Sequence, residues 1–228
     1  MKRVILSISA MLVASLSFAQ GNMSAVNQFG IANTALITQA GIQNDSDALQ
    51  LGFANMAIVD QDGRHNESDT NQGGAFNLAN VNQDGRRNDA YVGQLGVANA
   101  AFINQDGRRN DASIGQAGSF NWAVTTQLGK DNSSTTLQFL TGNHSNVLQV
   151  GEGNDSNVLQ VGFYNGANVY QLGEDNVAIT DQLGAGNTSF INQFGDSNMA
   201  WTIQTGNDHI SLVNQWGSAN ASFVLQSN

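Results

Sequence analysis

Along most of the chain every second residue belongs to a restricted set, while the residues between vary freely. In Asn33-Thr34-Ala35-Leu36-Ile37-Thr38-Gln39 the restricted residues are Asn33, Ala35, Ile37 and Gln39. Alternation of this kind puts the restricted set on one face of an extended strand and the variable set on the other. Gly41 follows two residues after Gln39, and two free residues separate it from Asn44. Glycine supplies the permissive backbone a tight reversal needs. The pattern therefore predicts one strand and one turn per unit Q-x-G-x-x-N-x-(A/S)-x-(V/I/T)-x, and the unit repeats without insertion or deletion.

Glutamine recurs every eleven residues at Gln28, Gln39, Gln50, Gln61, Gln72, Gln83, Gln94, Gln105, Gln116, Gln127, Gln138, Gln149, Gln160, Gln171, Gln182, Gln193, Gln204, Gln215 and Gln226, which is 19 of the 21 glutamines. Asparagine follows five residues later, at Asn33, Asn44, Asn55, Asn66, Asn77, Asn88, Asn99, Asn110, Asn121, Asn132, Asn143, Asn154, Asn165, Asn176, Asn187, Asn198 and Asn220, with His209 as the exception. The turn glycines begin at Gly30, Gly41, Gly52, Gly63, Gly74, Gly85, Gly96, Gly107, Gly118 and Gly129, and the series is broken only by Leu140. The β-branched position fails once, at Ala48.

Two units make a 22-residue strand-turn-strand-turn rung, and rungs stacked at roughly 4.8 Å set identical side chains above one another. The predicted fold is all-β: a β-solenoid of two parallel sheets in residues 23–228, about 9.5 rungs tall, with amyloid-like cross-β stacking. Its narrow core holds Ala, Ser, Val, Ile and Thr, bordered by glutamine and asparagine ladders. Each ladder amide donates to one neighbouring rung and accepts from the other, so buried polarity is satisfied only in register. The repeat starts close to the expected cleavage site and runs to Gln226, which predicts uncapped ends and head-to-tail stacking.

Composition narrows the function. The chain has 228 residues with 30 Asn, 25 Gly, no Pro and no Cys, so neither a disulfide framework nor a Cys-ligated metal is available. Lys2 and Arg3, the apolar run Val4 to Phe18 and the small residues Ser17 and Ala19 read as a signal peptide over 1–19, with residues 20–22 as a short leader. Without Lys2 and Arg3, six basic residues face 18 acidic ones, a charge of −12. That balance argues against general nucleic-acid or anionic-membrane binding, and no later apolar run is long enough for a transmembrane segment.

Other chemistry is sparse. Asp45, Asp47, Glu67, Asp69, Asp89, Asp111 and Asp155 fall on the outside of one sheet, an outward array without the convergence that a metal or catalytic site needs. That face turns apolar through Val177, Ile179, Met199, Trp201 and Phe223. One turn edge stacks Arg64, His65, Arg86, Arg87, Arg108, Arg109 and Lys130 beside Asp62, Asp84 and Asp106, as solvated turn charges. His65, His144 and His209 lie in separate units, so zinc is not expected. No catalytic residue, metal or cofactor is assigned, and no enzyme activity is expected.

The repeat carried by Gln28, Gly30, Asn33, Ala35 and Gln39 and by their equivalents through residue 226 resembles the curlin subunits of curli, bacterial functional-amyloid fibres of the biofilm matrix. The resemblance implies a secreted subunit that polymerises with itself at the cell surface in adhesion and aggregation. It also implies an outer-membrane secretion channel and a minor, nucleating curlin subunit as partners. The short leader departs from the family's usual repeat-free segment. Glycine in nearly every turn resembles the nucleating type, but the units after Gln204 hold no Lys or Arg, which favours the major fibre subunit. The rival readings are a monomeric solenoid binding ice or carbohydrate and a β-helix enzyme. The first needs a uniform outward row, which Leu36, Asp47, Ile58, Asp69, Asn80, Tyr91 and Phe102 do not make, and the second needs a loop-built cleft.

Overall fold

The computed structural model describes residues 21–228. The expected signal peptide, residues 1–19, lies outside the described residues. Nineteen strands, numbered in chain order, divide by parity into two sheets. The ten-stranded sheet stacks β1 (Met23–Ile31), β3 (Asp45–Phe53), β5 (Glu67–Ala75), β7 (Asp89–Val97), β9 (Asp111–Ser119), β11 (Ser133–Thr141), β13 (Asp155–Phe163), β15 (Val177–Ala185), β17 (Met199–Asn207) and β19 (Ala221–Ser227) in that order. The nine-stranded sheet stacks β2 (Thr34–Ile42), β4 (Met56–Arg64), β6 (Leu78–Arg86), β8 (Ala100–Arg108), β10 (Trp122–Lys130), β12 (His144–Glu152), β14 (Gly166–Glu174), β16 (Thr188–Phe194) and β18 (Ile210–Trp216). All pairings are parallel and pair residues 22 apart, as Gln72 with Gln94 and Gln94 with Gln116. The eleven-residue period thus becomes an all-β solenoid in which nearly every restricted position stacks on its own kind. No helix among the described residues is long and apolar enough to cross a membrane.

The core lies between the sheets and is thin, because the inward residues are small. Ala57, Ala79, Ala101 and Ala123 are fully buried, as are Val81, Val92 and Ile114. Apolar contacts form two clusters, one from Val59 to Ala123 and one from Val147 to Val213. Between them the inward positions carry hydroxyls: Thr125 Oγ1 meets Ser134 Oγ, and Thr136 Oγ1 meets Ser145 Oγ, each across the core at 3.5 Å. Lower in the stack Ser46, Ser68 and Thr70 bury hydroxyls that have no partner.

The turns differ from the expectation that glycine alone makes the reversal. Most strands are nine residues long and run through the glycine, so only two residues connect one strand to the next, as Ala54-Asn55 does between β3 and β4. Each connection has two residues at positive φ: the glycine, for example Gly107 at 129°, and the residue two later, for example Arg109 at 58°. That second position is usually not glycine, being Ala54, Phe76, Arg87 and Tyr164 among others, and it is glycine at Gly142, Gly153 and Gly186. The first position needs glycine for a second reason. A Cβ on Gly107 would lie 1.9 Å from the carbonyl oxygen of Gly129 in the next rung. Leu140 fills this position once, with φ of 77°.

Candidate functional site

The distinctive chemistry of the molecule is its pair of amide ladders. Each glutamine from Gln28 to Gln204 donates Nε2 to Oε1 of the glutamine 22 residues later, at 2.6–2.9 Å. The second amide hydrogen goes elsewhere. From Gln39 to Gln226, Nε2 also donates to the carbonyl 16 residues earlier, the first residue of the preceding strand, at 2.7–3.0 Å. The preceding strand belongs to the other sheet. One side chain therefore ties its own sheet along the stack and ties the two sheets to each other. Both amide hydrogens are used, which burial requires.

Asparagine does a different task at the turn. Its Oδ1 accepts the main-chain N–H of the residue 22 later, at 3.0–3.3 Å from Asn22 onward. From Asn33 to Asn198 its Nδ2 donates to the carbonyl 19 residues later, at 2.7–3.4 Å, which is a turn glycine except at Leu140. Asn55, Asn77, Asn99, Asn121 and most later members also donate Nδ2 to Oδ1 of the asparagine 22 before, at 2.8–3.3 Å. Between like side chains, glutamine donates to the following rung and asparagine to the preceding one. His209 keeps part of this role, giving its main-chain N–H to Asn187 Oδ1 at 3.1 Å, with its Nε2 3.2 Å from the carbonyl of Thr205.

The ladder residues from Asn44 to Asn198, and Gln215, are buried, whereas Gln28, Gln39 and Gln226 are half-buried and Asn220 is exposed at the outermost rungs. Among the described residues no strand covers the outer edges of β1 and β2 at one end or of β18 and β19 at the other. Gln215 and Gln226 thus hold Nε2 donors with no ladder partner, and Gln28 and Gln39 hold free Oε1 acceptors. The buried Nδ2 of Asn22 also has no partner.

The charged residues stack outside, as their spacing predicts. Asp45, Glu67, Asp89, Asp111 and, two rungs on, Asp155 form one column on the ten-stranded sheet, and Asp47 lies over Asp69. Burial first, then the carboxylates of Asp111, Glu67 and Asp69, raises the Asp89 carboxyl above the ordinary range. Burial raises Asp111 and Asp155 alike, and burial followed by Asp47 raises Asp69. Higher on that face Met199, Trp201 and Phe223 are exposed, and the Trp201 and Phe223 rings meet edge to face at 5.6 Å. On the turn edge Arg109 pairs with Asp131, and Lys130 pairs with Glu152 and Asp131. The Arg109 guanidinium holds the Asp131 carboxyl at about 2.

Comparison with known families gives one match, described as the curlin associated repeat, over residues 74–107, 107–139 and 164–195. Each matched segment is about three of the eleven-residue units long. No curated protein matches the chain.

Proposed function

We propose, from the premise that this chain belongs to the curlin repeat family, that it is an exported structural subunit that stacks on further copies of itself. The product is a curli-like fibre of the extracellular biofilm matrix, acting in adhesion and aggregation. One observation carries this reading: the glutamine donors and acceptors repeat without change every 22 residues, so a rung of one copy offers the next copy the same glutamine partners that it offers its own next rung. Donor-bearing Gln215 and Gln226 at one end complement the Oε1 acceptors of Gln28 and Gln39 at the other. A contact between unlike ends does not close on itself and therefore propagates. The outward positions along the sheets vary, while the inward ones scarcely vary at all, and this supports a function that lies in the stack.

The test is incubation of the purified chain from Gln20 to Asn228, alone, followed by negative-stain electron microscopy and fibre diffraction. Unbranched fibres with a meridional spacing of about 4.8 Å are expected. A chain that stays monomeric and folded at rising concentration would overturn the reading.

A further inference from the structure

The corner where the nine-stranded sheet hands over to the ten-stranded one carries a charge pattern that the chain does not neutralise internally. Three successive rungs read Arg64-His65-Asn66-Glu67, Arg86-Arg87-Asn88-Asp89 and Arg108-Arg109-Asn110-Asp111. The asparagines are buried, and the charged residues on both sides are exposed. Strand register stacks Arg64, Arg86 and Arg108 in one column and Glu67, Asp89 and Asp111 in the next. A further acidic column, Asp62, Asp84 and Asp106, flanks the arginines on their other side. The edge is therefore striped: acidic, basic, acidic.

Among the described residues Arg64, Arg86, Arg87 and Arg108 have no carboxylate at ion-pair distance. Higher up the columns change sign, at Asp131 one rung above Arg109 and at Glu152 two rungs above Arg108, and there pairs do form, Arg109 with Asp131 and Lys130 with Glu152. Cations on this edge thus find anions wherever the stacking supplies them. Above Arg64, Arg86, Arg87 and Arg108 it supplies only more cations.

We propose that this striped corner is a side-by-side contact between two copies of the chain. The two copies lie parallel and are related by a two-fold axis along the solenoid. Such an axis keeps every rung at its own height and exchanges left for right. The arginine column of one copy then faces the Glu67, Asp89 and Asp111 column of its partner and the reverse contact forms at the same time, while His65, Arg87 and Arg109, exposed between the two columns, lie nearest the axis and face their own copies. The interface is isologous, so one charge pattern serves both surfaces. Period selects the occupant: the arginines recur once per rung, and a second solenoid presents carboxylates at the same interval over the same rungs. A uniform polyanion would meet the two flanking acidic columns with no cations to offer them. The contact leaves the ladder ends untouched, so it is independent of growth along the stack. It is readable on single solenoids by sedimentation or on fibres by mass per unit length.

The wild-type chain should show twice the mass of a single solenoid, per particle or per length, at about 0.01 M salt. It should revert to single mass at about 1 M, where the screening length falls from roughly 30 Å to about 3 Å. The triple variant R86E/R87E/R108E should stay single at low salt, and so should E67R/D89R/D111R. An equimolar mixture of the two should pair again, because one then presents a mainly acidic corner and the other a mainly basic one. Wild-type chain that stays single at low salt would overturn the proposal, as would pairing indifferent to salt. So would variants that pair as wild type does, or a mixture that stays single. Heparin or a DNA oligonucleotide retained through these arginines by an unpaired wild-type chain would overturn it in favour of a polyanion site. The salt series needs no substitution and decides the matter even where a variant fails to fold.

Discussion

Gln116 shows how much one side chain holds. It donates to Gln138 Oε1 at 2.8 Å and to the Ala100 carbonyl at 3.0 Å, and it accepts from Gln94 at 2.9 Å. Replacement by Ala strands a donor on Gln94 and acceptors on Gln138 and Ala100 inside the molecule, each worth about 1–3 kcal/mol. The expected result is a large drop in the denaturation midpoint and slower, weaker assembly. Phe102 faces outward, and its ring packs at 4.9 Å on Trp122, so Phe102→Ser should cost about 1 kcal/mol. Urea titration of both variants checks the contrast, and equal losses would contradict it. The inward ladder was legible in the sequence because its spacing of two matches the strand period. The second hydrogen bond of each glutamine, to the opposite sheet, was not. It depends on how far one sheet is offset from the other, and no residue pattern records that offset.

At the level of the strand and its turn, two residues at positive φ do different work. At Gly107 the backbone sits at φ 129° and the next rung's carbonyl occupies the space of a side chain. Gly107→Ala should therefore cost at least about 3 kcal/mol or prevent folding, since neither the conformation nor the space admits a Cβ. At Ala98, with φ 55°, only the left-handed conformation is at stake, so Ala98→Gly should leave stability unchanged or raise it by up to about 1 kcal/mol. Thermal melting of the two variants should move in opposite directions or show a loss in the first alone. The glycine row was visible in the sequence because one residue type recurs. The left-handed position after it was invisible because Ala, His, Phe, Arg, Asp and Tyr all occupy it. They share no chemistry, and the turn's closure by Asn at the following residue imposes the conformation on whatever stands there.

For the whole molecule, the acidic face makes stability depend on pH. Asp69, Asp89, Asp111 and Asp155 have carboxyls raised above 3.8 in the folded chain, chiefly by burial. A group with a higher folded than unfolded pKa binds its proton first in the folded state, so stability rises as pH falls through the raised values, and the gain is complete below about 3.8. Asp131 acts oppositely, because its carboxyl lies at about 2 beside Arg109, and its contribution is lost between about 3.8 and about 2. His144, lowered from 6.5 by burial, also works against the gain just below its ordinary value, but it is one group against four. Denaturant midpoints should be higher near pH 4 than at pH 7 and should decline again toward pH 2, with the decline removed in Asp131→Asn. A midpoint higher at pH 7 than at pH 4 would refute this balance. The opposed directions of the two amide ladders have a consequence at this same scale. A column of amides all donating one way is a line of dipoles placed head to tail, and in a helix such a line sums to partial charges at the ends. Here the glutamine columns sum toward one end and the asparagine columns toward the other, while the main-chain dipoles of the strands alternate and nearly cancel. The two sets oppose each other, so each added rung brings less net dipole than either ladder alone would bring.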